Sequence, residues 1–87
     1  MAEPIVISSL FVQVRPERLR AVAVAILAER GAEISAEDAS GKLVVVLESE
    51  TDAALARSTE KITKLAGVLS VGLVFHHTDA GAPRVST

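Results

Sequence analysis

The sequence predicts an α+β sandwich, a four-stranded antiparallel sheet with two helices packed on one of its faces. Two stretches place apolar residues at helical spacing, three others are rich in apolar and β-branched residues and a fourth is a short polar strand, and together they fall in the order βαββαβ. Two strand–helix–strand units of similar length in so short a chain make one domain rather than two.

Ile5 to Val14 is dominated by apolar and β-branched residues, and Arg15-Pro16 ends it, because proline disfavours a helical residue before itself yet suits a first helical position. From Pro16 to Arg30, Leu19, Val22, Ala23, Ile26 and Leu27 fall on one stripe of a helix, with Gly31 placed just past its end. Ala32 to Asp38 reads as a short polar strand around Ile34. Asp38-Ala39-Ser40-Gly41 supplies turn chemistry, and Lys42 to Glu50, containing Leu-Val-Val-Val-Leu, completes a hairpin. Thr51 is the expected N-cap of a second helix, with Asp52 at its positive end and Leu55, Thr59, Ile62, Leu65 and Ala66 along its stripe, closed by Gly67. Val68 to His76 forms the last strand. The folded unit is expected over residues 1–77, followed by a flexible tail over 78–87 that is rich in small residues.

This order is that of the ferredoxin-like βαββαβ sandwich, with expected strand order 4-1-3-2. Alternation of side chains assigns Ser8, Leu10, Val12, Val14, Ile34, Ala36, Leu43, Val45, Leu47, Leu69, Val71 and Leu73 to the helix-covered core. The other face then holds Ile7, Ser9, Phe11, Gln13, Glu33, Ser35, Glu37, Val44, Val46, Glu48, Ser70, Gly72, Val74 and His76. No element of the chain is left to cover it. Ile7, Phe11, Val44, Val46 and Val74 make that face too apolar for a solvated one. A homodimer burying it is one solution, and a separate ligand or peptide is the other. From Glu33 to Asp52 the chain has six acids, Glu33, Glu37, Asp38, Glu48, Glu50 and Asp52, against Lys42 alone. An apolar floor with an acidic rim suits a basic amphipathic peptide, whose guanidinium groups donate to carboxylates while its apolar side lies on the floor.

Other classes of function fare worse. The composition, 49% hydrophobic and 23% charged, is that of a folded protein, and a net charge of −2 with two phenylalanines as the only aromatic residues gives little for nucleic acid. With no cysteine, a disulfide framework and a thiolate site are excluded. The N-terminal residues lack the charged start of a secretory signal, and no apolar run approaches the length of a membrane span. His76 and His77 are adjacent in a strand and point to opposite faces, so they do not share a metal. Arg15, Arg18 and Arg20 read as a solvated basic turn with Glu17 rather than an anion site. Ser8 and Ser9 have no nearby base. Phe11-Val12-Gln13-Val14-Arg15 resembles the first strand of an acylphosphatase, but the glycine turn and the asparagine that such enzymes need are absent. The Cys-x-x-Cys of heavy-metal-binding domains on this fold is absent too.

Ser-Ser-Leu-Phe-Val-Gln-Val-Arg-Pro-Glu-Arg-Leu from Ser8, Gly-Lys-Leu-Val-Val-Val-Leu-Glu from Gly41 and Gly-Val-Leu-Ser-Val-Gly-Leu-Val-Phe-His-His from Gly67 together resemble the NapD family, in order and spacing across about residues 5–77. The resemblance implies a cytoplasmic, non-enzymatic chaperone without a cofactor. In that family the partner is the twin-arginine signal peptide on the precursor of the periplasmic nitrate reductase catalytic subunit, whose export is restrained until the molybdenum cofactor is inserted. It also implies that the peptide binds as a helix on the open sheet face. Carried over by position, the peptide-binding set is Ile7, Ser9, Phe11, Val44, Val46, Glu48 and Val74. Phe75 departs from the tyrosine expected there in many relatives. The alternative is a small-molecule-sensing regulatory domain of the same fold, which would dimerise through its sheet; such modules usually accompany a DNA-binding domain, for which this chain has no room.

Overall fold

The computed structural model describes the backbone of residues 5–79 and the side chains of residues 5–74. Four strands, β1 (Ile5–Val14), β2 (Ala32–Asp38), β3 (Lys42–Ser49) and β4 (Val68–Asp79), form one antiparallel sheet in the order β2-β3-β1-β4. This is the order expected from the two βαβ units. Helix α1 (Leu19–Leu27) and helix α2 (Asp52–Thr63) lie on one side of it. β4 runs three residues beyond its expected end, and the rest of the expected tail lies outside the described residues.

The core is the alternating set of the two central strands, Leu10, Val12 and Val14 from β1 and Leu43, Val45 and Leu47 from β3, closed by Val22 and Ile26 of α1 and Leu55 and Ile62 of α2. Ser8 is buried among them, as alternation requires. Val6, at the start of the same stripe, is buried as well. Helix α2 starts where its cap chemistry puts it, with the Ala54 amide donating to Thr51 Oγ1 at 3.0 Å.

Helix α1 is shorter than its stripe suggested. Pro16–Arg18 is a 3₁₀ turn in which the Arg18 amide donates to the Arg15 carbonyl at 2.8 Å, and the helix proper begins only at Leu19. At the other end the Glu29 amide turns back to the Ile26 carbonyl at 2.9 Å, which tightens the last turn and stops the helix at Leu27. Leu27 is therefore exposed rather than part of the core. Gly31 then adopts φ +81, and a Cβ there would meet the Glu48 carbonyl oxygen at 2.3 Å, so only glycine lets the chain pass this close to β3.

Bulges change the faces assigned to the two edge strands. In β2 the register skips Ser35, so Ala36, expected in the core, pairs with Val44 and is exposed, while Glu37, expected on the open face, pairs with Leu43. In β4, Leu10 pairs with Leu73 but Ser9 pairs with Phe75, and His76 falls opposite Ser8 rather than on the alternation of Ser70 and Gly72. Leu69 and Leu73, expected in the core, are 64% and 65% exposed. Leu69 is the residue skipped at a second bulge of β4, between the pairs Gln13–Ser70 and Val14–Val68, while Leu73 lies on an edge that α2 does not fully cover, where a cleft of about 620 Å³ opens over Leu10, Leu55, Val71 and Leu73.

Candidate functional site

The face of the sheet opposite the helices is built by the central strands in simple register. Ile7 lies opposite Glu48, Ser9 opposite Val46, Phe11 opposite Val44 and Gln13 opposite Lys42. Six of the seven residues expected to bind, Ile7, Ser9, Phe11, Val44, Val46 and Glu48, thus sit side by side. Phe11 is 36% exposed, and Ile7, Val44 and Val46 are half-buried on the side of the sheet away from both helices. Val74 is the exception. It occupies the extra position of the β4 bulge between Leu73 and Phe75, with no partner in the β1 register, and is 65% exposed at the sheet edge.

Charge is graded along this face. At one end Glu48 is exposed beside Ile7, and Glu33 of β2 is exposed opposite Val46. Neither takes part in the ion pairs Arg15–Glu17, Lys61–Glu29 or Lys64–Glu60. At the other end Lys42 lies between Gln13 and Asp38. The hydroxyl and amide of Ser40 both donate to the Asp38 carboxylate and hold it below the usual carboxylate range, which fixes that charge in the hairpin turn. Gly41 finishes the turn at φ +106, close enough to β1 that its carbonyl accepts from the Val14 amide at 2.7 Å.

The acidic end is less one-sided than the run from Glu33 to Asp52 suggested. A cleft of about 680 Å³ beside Ile5 is lined by Glu48 and Glu50 and also by Arg30 and Arg57. These arginines come from the turn after α1 and from α2, just outside the two ends of that run. Arg15, in turn, donates to Glu17 at 3.1 Å as the basic-turn reading expected; Glu17 is held below its usual range first by its own backbone amide and then by Arg15.

The comparisons with known proteins agree on one family. Residues 5–80 match the model described as NapD protein. The chain belongs to the NapD family. It is 36% identical over 74 residues to the chaperone NapD of Escherichia coli K12, spanning 84% of this chain and 85% of that protein. It is 38% identical over 71 residues to the chaperone NapD of Haemophilus influenzae, spanning 80% and 76% respectively. The solution structure described as the E. coli Tat proofreading chaperone protein NapD superposes with a TM-score of 0.81 at 32% identity, covering 100% of this chain and 93% of that one. The ferredoxin-like fold and the family are therefore shared with named chaperones.

Proposed function

We propose that this NapD-family chain is a cytoplasmic, non-enzymatic chaperone that binds the twin-arginine signal peptide of the periplasmic nitrate reductase catalytic subunit precursor. Binding restrains export until cofactor insertion is complete. The observation that carries the proposal is the continuous apolar strip Ile7, Phe11, Val44 and Val46 on a sheet face that the chain's own helices leave open. The E. coli relative, described as a Tat proofreading chaperone, supports the same reading.

The face also suits one orientation of the peptide. From Lys42 to Glu48 along β3 is about 20 Å at strand rise, the length of about 13 residues of helix. A helix lying on the strip with its N-terminal arginines toward Glu33 and Glu48 brings its positive end to the carboxylates and its negative end to Lys42. Apolar burial supplies the affinity and the charges set direction. Chemical-shift mapping with a synthetic twin-arginine peptide tests this. The amides of Ile7, Phe11, Val44, Val46 and Glu48 should move together on titration, whereas shifts confined to α1 and α2 would place the site on the opposite surface.

A further inference from the structure

The cleft at the acidic end of the open face brings opposite charges together and leaves them unpaired. From the sheet it is lined by Ile5, Glu48 and Glu50, from the turn after α1 by Arg30, and from α2 by Arg57. All four charged residues are exposed, and among the described residues none of them enters an ion pair. Their backbones are nonetheless held in place. The Glu48 amide donates to the Gly31 carbonyl at 2.9 Å, which ties the residue after Arg30 to β3. The Thr51 cap fixes the first turn of α2, from which Arg57 follows.

Mixed walls of this kind suit a particular occupant. A simple anion would be repelled by the two carboxylates, and a simple cation by the two guanidinium groups. An extended peptide backbone carries donors and acceptors together, so its carbonyls can accept from the arginines while its amides donate to the carboxylates. The cleft is also continuous with the apolar strip. Ile5 stands two residues before Ile7 on the same face of β1, and Glu48, which lies opposite Ile7, lines the cleft as well. The strip accommodates about 13 residues of helix. With the arginine pair of the peptide at Glu33 and Glu48, the residues that precede the pair leave the strip at this end, and their backbone groups lie outside the helical ladder.

We propose that this cleft of about 680 Å³ takes the extended segment of the signal peptide that precedes its arginine pair, with Arg30 and Arg57 donating to its backbone carbonyls and Glu50 accepting from its amides. The inference rests on the peptide-binding reading above and adds a second subsite to it. Glu48 stands at the junction, where the helical part of the peptide on the strip meets the extended part in the cleft. Recognition in the cleft is through the backbone, so the presence of the preceding segment counts for more than the identity of its side chains.

The test is calorimetric titration of the wild type, Arg30→Ala and Arg57→Ala with two synthetic peptides, with circular dichroism confirming that each variant is folded. One peptide carries the whole twin-arginine signal sequence, and the other is acetylated and begins at the arginine pair. The wild type should bind the whole peptide about tenfold more tightly than the truncated one. Each variant should lose about threefold or more in affinity for the whole peptide and bind the truncated one as the wild type does. Equal wild-type affinity for the two peptides would overturn the proposal and leave the strip as the whole site. So would an equal loss for both peptides in the variants, or tighter binding by either variant, which would show that the arginines only compete for Glu48. Failure of both peptides to bind the wild type would instead overturn the proposed function, and this inference with it.

Discussion

Val45 and Val46 are neighbours on β3, and an aspartate at each should have opposite consequences. Val45 is 0% exposed, packed in the core and opposite Leu10 and Ile34 in the register. Removing it forfeits about 1.5–3 kcal/mol of burial. Keeping the new carboxyl neutral at pH 7 costs about 4 kcal/mol more, three pKa units at 1.36 kcal/mol each, and an unsatisfied buried polar group adds about 1–3 kcal/mol. The sum rivals the whole stability of a domain this size, about 4–13 kcal/mol at the usual value per residue. Val45→Asp should therefore be unfolded at neutral pH. Val46 is half-buried on the open face, where the carboxylate keeps its water, so Val46→Asp should cost about 1 kcal/mol and move a urea midpoint by roughly 1 M or less. Circular dichroism with urea titration reads both. A folded Val45→Asp beside an unfolded Val46→Asp would mean that the faces are inverted and with them the site.

Three further outcomes follow from particular contacts. Glu48→Lys should leave the fold intact but weaken binding of a twin-arginine peptide and reduce its salt dependence, since an exposed strand-end acid adds little to stability; an unchanged dissociation constant at low salt would move the arginine contacts elsewhere. Gly41→Ala should lower the melting temperature by several degrees or prevent folding, because its Cβ would meet the Val14 carbonyl oxygen at 2.2 Å at a φ of +106; a wild-type melt would show that this hairpin shifts freely. Thr51→Ala should cost about 1 kcal/mol through loss of the cap to the Ala54 amide, read as a lower urea midpoint with unchanged slope, and no shift would show that the cap is dispensable.

The central strands were legible because each has one buried face and strict alternation: Leu10, Val12 and Val14 against Leu43, Val45 and Leu47 leave only one register possible. The open-face residues Ile7, Ser9, Phe11, Val44, Val46 and Glu48 were fixed by the same parity. Edge strands were harder to read. Each pairs on one side only and tolerates an extra residue, so the skip at Ser35 and the bulge at Val74 re-phased the residues beyond them without a glycine or proline to mark the place. The short α1 went unseen for a related reason, because Leu27 continues the apolar spacing while the backbone has already turned at Glu29. Arg30 and Arg57 flank the acidic run from Glu33 to Asp52, so a count confined to that run leaves them out, while the fold brings both to the cleft that Glu48 lines.

Calorimetric titration of a twin-arginine signal peptide from a periplasmic nitrate reductase precursor into the wild-type protein and into folded Phe11→Asp and Val46→Asp tests the central claim most directly. A carboxylate on the open strip is solvated in the free protein and loses that water beneath a bound helix. The wild type should therefore bind saturably at one peptide per chain, and both variants should lose binding while retaining native circular dichroism. Undiminished binding by the folded variants would contradict the assignment of the open sheet face as the site.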